Sequence, residues 1–230
     1  MEKTATGSGL SVVVPAALEE TQGALLYERL EGIPLVARTL MALDRAAVVD
    51  EVIVVVWEQD LTQMADLCTT YALERVRKIV CTKQAGTAAL AAGIYECDPT
   101  AEFIAIHDPL RPFVTAELIE KALKAAKRIG VAAPALPVRD TIKIVEHGTI
   151  QSTPDRRTLY TLQSPSVVES SLLKAALQRA DEQGVLEADL AILLEGLDVS
   201  HGLSQGADEN IRISDRSALP AAAAILTWEG

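Results

Sequence analysis

The segment FIAIHDPLRPFVT (103–115) sets a carboxylate, Asp108, three residues before a guanidinium, Arg111. An ionised carboxylate holds a divalent cation or a hydroxyl, and a guanidinium fork takes a phosphate bidentately. At the carboxyl end of a parallel strand the two would stand where open α/β sheets bind ligands. The same residues read equally well as a surface pair tying down a turn, worth about 0–1 kcal/mol. His107 reads as a packed strand-end residue rather than a base. Two further segments, VRDT (138–141) and TPDRR (153–157), allow Thr141 and Arg156 to face one cleft from neighbouring strands. ENIRIS (209–214) sets Arg212 in an apolar alternation just before Ser214, a helix N-cap by type. Three arginines from separate segments, with Asp108 and Thr141, would make a phosphomonoester site.

Such a site has to be local. Lys and Arg total 21 against 32 Asp and Glu, a formal charge of -11. That balance repels nucleic acid and anionic membrane and leaves anionic ligands dependent on a cationic pocket. Cys68, Cys81 and Cys97 lack a Cys-x-x-Cys pair, so buried free thiols are expected rather than disulfides or zinc. No signal peptide or membrane-length apolar stretch stands out, which makes the cytoplasm the expected location. A chain of 230 residues buries a sufficient core as one domain, 1–230.

The elements that must position these residues alternate. Apolar β-branched runs at 10–14, 51–56, 75–80, 102–106 and 131–136 predict strands, and amphipathic segments at 33–46, 60–73, 84–96 and 115–130 predict helices. In the last, Leu118, Ile119, Ala122, Leu123 and Ala126 share one face between Thr115 as N-cap and Gly130 as stop. The pattern predicts a mostly parallel sheet covered on both faces. After Pro137 the chain alternates apolar and polar residues around His147-Gly148, which reads as a hairpin arm within 138–165. An isolated two-stranded ribbon is marginal in water, so the arm is expected to pack on a second subunit. Helices at 168–183, at 187–195 and from 214 close the chain.

SVVVPAALEETQG (11–23) poses a difficulty. The turn after the first strand of an α/β protein offers backbone N–H groups to phosphate, usually with glycines and cations. Here it offers Leu18, Glu19 and Glu20. The spacing of Leu18, Leu25, Leu26, Arg29 and Leu30 suits a short helix interrupted by Gly23, so 18–31 is expected to form a partly helical plug over the cleft.

In order and spacing, VVVPAA, DEVIVVV, HDPLRPFVT, PALPVRDTIK, TPDRRTLYTLQSP and ADENIRIS resemble the 2-C-methyl-D-erythritol 4-phosphate cytidylyltransferase family of isoprenoid precursor synthesis, over nearly the whole chain. The resemblance implies a Rossmann-like three-layer sheet of the nucleotide-diphospho-sugar transferase type, and a homodimer made through the arm. It also implies attack by a sugar-alcohol phosphate on the α-phosphorus of CTP, with magnesium, releasing pyrophosphate. Carried over by position, Asp108, Arg111 and Thr141 match substrate contacts, with Asp108 also the metal residue. Arg156 matches the arm arginine that positions the substrate phosphate in the neighbouring subunit. Arg212 stands where the family has a lysine, keeping the charge but exchanging a compact ammonium for a planar fork.

The nucleotide side departs from the family. Pro15, Ala16 and Ala17 remain, but the Gly-x-Gly-x-Arg-Met and Pro-Lys-Gln that should follow are replaced by LEETQG and ALLYERLEG in a shorter loop. The family's Gly-Gly-x-x-Arg-x-x-Ser has become CTKQAGTA (81–88), with Gly86 and Ala89 at the arginine and serine positions, Lys83 nearby, and Asp189 the one survivor of a further motif. Losing two preorganised cations removes on the order of 10⁴ or more in rate if they act independently. A carboxylate about 4 Å from a phosphate adds roughly 4 kcal/mol of repulsion before screening. The expectation is a weakly active or non-catalytic, regulatory homologue, working as a homodimer or paired with an active paralogue. Two alternatives stand beside it: an active transferase using CTP and magnesium with charge from Arg29, Lys83 or a partner, and a sensor of a small phosphorylated sugar alcohol.

Overall fold

The computed structural model describes residues 9–183 and 199–228. Asp189 and the helix expected at 187–195 lie outside them. The first strand, β1 (Leu10–Pro15), is followed by helix α1 (Glu20–Leu26) and a two-residue ribbon, β2 (Arg29–Leu30) and β3 (Ile33–Pro34). Helix α2 (Leu35–Arg45), β4 (Glu51–Trp57), α3 (Leu61–Thr70), β5 (Val76–Thr82), α4 (Thr87–Tyr95), β6 (Phe103–Ile106), α5 (Ala116–Ile129) and β7 (Val131–Pro137) then alternate, as the hydrophobic pattern predicts. The hairpin β8 (Ile144–Glu146) and β9 (Thr149–Ser152), strands β10 (Tyr160–Leu162) and β11 (Ser166–Glu169), helix α6 (Ser170–Gln183), β12 (His201–Gln205) and a C-terminal helix (Leu219–Trp228) follow.

The main sheet runs β10-β7-β11-β6-β1-β4-β5, with β12 also pairing β7. β6-β1-β4-β5 are parallel throughout, and β12 is parallel to β7. β10 and β11 run antiparallel to their neighbours, so the sheet is mixed and mostly parallel. Period-two alternation sorts the strands between two apolar layers. Val12, Val14, Val52 and Val54 join α2, α3 and α5, whereas Val13, Ile53 and Val55 join α4 and α6. A Cβ on Gly93 would stand 2.6 Å from Val13 Cγ1 and from Val55 Cγ2, so a glycine there lets α4 lie close on the sheet.

Helix α5 is capped as predicted: Thr115 Oγ1 accepts the Leu118 amide, and Gly130 stops the helix at φ 95. The hairpin turns at His147 (φ 49) and Gly148 (φ 76), both left-handed, as a two-residue turn matched to strand twist requires. Every residue from 139 to 153 is exposed. Among the described residues no helix is long and apolar enough to cross a membrane.

Four expectations are corrected. The C-terminal helix starts at Leu219 rather than 214, after a 3₁₀ turn at Arg216–Ala218 that is capped by Asp215, whose carboxylate accepts the Ser217 amide; Ser214 is not the cap. Arg212 lies on irregular chain rather than in a strand, because residues 208–214 bond to Leu110 and to each other instead of joining the sheet. Thr141 and Arg156 are not on neighbouring strands: Thr141 precedes β8, and Arg156 opens a 3₁₀ turn after β9. Cys81 is exposed, on the edge strand β5, whereas Cys97 is buried and Cys68 intermediate.

Candidate functional site

β1 and β6 are hydrogen-bonded parallel neighbours, so the turns leaving Pro15 and Ile106 open at the same edge of the sheet. The ladder continues past both strands: the Ala16 amide donates to Val55 O and the His107 amide to Val13 O. Asp108 is thereby fixed beside the Pro15-Ala16-Ala17 turn. A cavity of about 330 Å³ lies there, with Pro15, Ala17 and Leu18 on one wall, Gly86, Thr87 and Ala89 of the α4 start on another, and Asp108, Ser164 and Arg212 opposite.

The charged groups are already engaged. Asp108 Oδ2 accepts Arg212 Nε at 2.6 Å, and its Oδ1 accepts the Leu110 amide at 2.9 Å. Arg212 Nη2 donates to Gln22 Oε1 of α1 at 3.3 Å. Arg111 Nε stands 3.9 Å from Asp108 Oδ2, and its Nη1 donates to Asn210 O at 2.6 Å. Burial works against the Arg111 charge and lowers its pKa; Asp108 opposes that shift and Arg212 adds to it. Asp108, Arg111 and Arg212, named from sequence, are thus brought together.

Thr141 and Arg156 are not brought to them within this chain. Arg156 Nη1 donates to Arg139 O at 3.0 Å, which keeps it at the root of the arm near Thr141, and neither residue lines the cavity. Lys83 is exposed in the loop after β5 and Arg29 Nη1 folds back onto Gly32 O, so neither cation faces the cleft. Of the expected 18–31 plug, residues 20–26 form helix α1, which runs through Gly23 and buries Leu25 and Leu26, while Trp57 Nε1 donates to Leu18 O at 2.7 Å and pins the turn; the cavity beside the turn is not filled. Glu19 and Glu20 are exposed beside a second cavity of about 480 Å³, whose other polar walls are Asp60, Gln59, Gln63 and Tyr27. Burial, with Asp60 adding, pushes the Tyr27 hydroxyl up to about 12. Among the described residues lining the two cavities, Arg212 is the sole cation.

Magnesium, implied by the resemblance at Asp108, finds one carboxylate there, already paired with Arg212. Among the described residues no group of three or more His, Cys, Asp or Glu is placed to hold an ion. Magnesium keeps near-octahedral oxygen coordination from carboxylates, water and substrate phosphates. One carboxylate with substrate phosphates and water is a share that magnesium commonly takes from a protein, so Asp108 would be the residue to hold it, in exchange for its pairing with Arg212. Sequence reasoning missed Gln22 on α1 and Ser164 and Asn210 in irregular chain, because a single amide or hydroxyl carries no periodic signal.

Residues 10–228 match the IspD family model, 2-C-methyl-D-erythritol 4-phosphate cytidylyltransferase. The enzyme of that name from Alkaliphilus metalliredigens is 31% identical over 217 residues, covering 91% of this chain and 90% of that protein. The one from Caldanaerobacter subterraneus is 34% identical over 195 residues, covering 82% and 84%. The solved 4-diphosphocytidyl-2C-methyl-D-erythritol synthase of Anaerococcus prevotii superposes with a TM-score of 0.84 at 24% identity, covering 95% of this chain and 96% of that one. Another synthase structure of that name gives 0.79 at 26% identity, covering 94% and 97%. A mixed, mostly parallel sheet between helical layers, with its cleft at the carboxyl edge, defines an α/β protein of the nucleotidyltransferase type. Within that class, the chain belongs to the 2-C-methyl-D-erythritol 4-phosphate cytidylyltransferase family.

Proposed function

We propose that this chain is a family member that keeps the acceptor-phosphate half of the site without a productive CTP half, and acts as a regulatory subunit of at most weak activity. The observation that carries the reading is that, among the described residues, Arg212 is the single cation on the walls of the two cavities flanking the β1 turn, and it is already held by Asp108 and Gln22. A triphosphate needs several cations or donors aimed at the charge that develops on transfer. It meets Glu19 and Glu20 instead.

The ligand in this reading is a small phosphorylated sugar alcohol held by Asp108, Arg111 and Arg212. The arm supplies Thr141 and Arg156 to a second subunit, either another copy or an active paralogue. Support comes from their position outside their own cleft and from the exposed apolar residues Ile144, Val145 and Ile150 of the arm. An assay of pyrophosphate release with CTP, magnesium and 2-C-methyl-D-erythritol 4-phosphate tests the proposal. Turnover on the order of 10⁴ below an active family enzyme is expected. Turnover within tenfold of such an enzyme would overturn the reading.

A further inference from the structure

His107 lies next to Asp108, is completely buried, and does not line the cleft. Both ring nitrogens are engaged: Nδ1 is 3.1 Å from Ser164 Oγ, and Nε2 is 3.1 Å from Arg111 O. A carbonyl oxygen only accepts, so Nε2 carries the ring proton. Ser164 Oγ accepts the Asp108 amide at 3.1 Å, which leaves its own proton to point at Nδ1. The neutral Nε2–H tautomer follows from the partners alone.

The same partners lead back to Ser164 by another path. Arg111 Nη1 donates to Asn210 O at 2.6 Å, and Asn210 Nδ2 donates to Ser164 O at 2.9 Å. Ser164, His107, Arg111 and Asn210 therefore form a closed hydrogen-bonded ring drawn from three distant segments. Asn210 is completely buried, and two residues beyond it stands Arg212, whose neighbour Ile213 donates its amide to Leu110 O. Such a circuit fixes the Asp108 amide, the Arg111 carbonyl and guanidinium, and the chain that carries Arg212.

We infer that His107 is a positioning residue, which with Ser164 and Asn210 sets the places of Asp108 and Arg111 at the phosphate-binding site without touching the ligand. The inference rests on the acceptor site proposed above. It assigns the buried histidine a donor-acceptor task that a packed aromatic side chain would not perform.

The test combines calorimetry with 2-C-methyl-D-erythritol 4-phosphate and amide hydrogen exchange at Asp108, in the parent chain and in His107→Phe, Ser164→Ala and Ser164→Thr. Losing one buried partner is expected to weaken binding about tenfold and to speed Asp108 exchange about as much in His107→Phe and Ser164→Ala, with Ser164→Thr close to the parent. Nitrogen NMR of the parent ring is expected to show the proton on Nε2, a result that does not depend on any variant folding. A proton on Nδ1 overturns the inference, as does a folded Ser164→Ala chain that binds within about twofold of the parent. If the parent binds no sugar-alcohol phosphate, the functional reading fails separately. The Asp108 amide then decides for the ring if its exchange accelerates in Ser164→Ala, and against it if its exchange is unchanged.

Discussion

Arg212 presents its Nε to Asp108 and its Nη2 to Gln22, so an incoming phosphate has to displace an amide and share a carboxylate's partner. Removing the amide by Gln22→Ala leaves the guanidinium freer and is expected to raise affinity for 2-C-methyl-D-erythritol 4-phosphate about two- to fivefold, the worth of one modest hydrogen bond. Isothermal titration of the two proteins measures it, and a fall in affinity would mean that Gln22 helps to hold the ligand. His107 makes a prediction of the opposite kind, on stability. Burial pushes its pKa down to about 4, offset in part by the Arg111 carbonyl and Asp108. The unfolded chain takes up a proton near pH 6.5, before the folded ring does. Stability from this group is therefore complete above about pH 6.5 and is lost as pH falls toward 4, by at most about 1.4 kcal/mol per pH unit. Urea unfolding between pH 4 and 7 should show that slope in the parent and a flatter one in His107→Phe.

At the scale of elements, α4 and α1 set the shape of the nucleotide side. Gly93→Ala would drive a methyl into Val13 and Val55, and overpacking of that kind costs about 1–3 kcal/mol, readable as a lower urea midpoint. Trp57→Phe removes the bond to Leu18 O, and α1 amides should exchange faster while the β4 core stays protected. The strands of the parallel half were legible because Val12, Val13, Val14 and their neighbours are apolar on both faces, and α5 because its stripe and both caps agree. α1 was legible as a short helix from the spacing of Leu25 and Leu26, though its continuity through Gly23 was not. The Gln22 to Arg212 contact was not, since it joins residues far apart in sequence and rests on the helix's rotation rather than on any pattern. The course of 208–214 was misread because Ile211 and Ile213 alternate like a strand, yet their amides bond to Glu209 and Leu110. Asp108 and Arg111 were found by type and spacing, while Ser164 and Asn210, which hold them, lie within the segments TPDRRTLYTLQSP and ADENIRIS that carry the resemblance, yet nothing in the sequence pattern marks the bonds they make.

For the whole molecule, the arm decides whether the proposed site is complete. Val145 and Ile150 face each other across the ribbon and are 53% and 59% exposed, an apolar pair that a solitary hairpin does not bury. Replacing both with Asp is expected to leave the sheet intact by circular dichroism and to lower the sedimenting mass from that of a dimer to that of a 24.6 kDa monomer. A parent that already sediments as a monomer would remove the second subunit from the account. The central claim, that the acceptor half works and the CTP half does not, is tested most directly by titrating the assembled protein in one calorimeter with two ligands. 2-C-methyl-D-erythritol 4-phosphate is predicted to bind with a measurable heat that is lost in Arg212→Ala, and CTP with magnesium to give none at millimolar concentration. Micromolar binding of CTP with magnesium, in the absence of the sugar phosphate, would contradict the account.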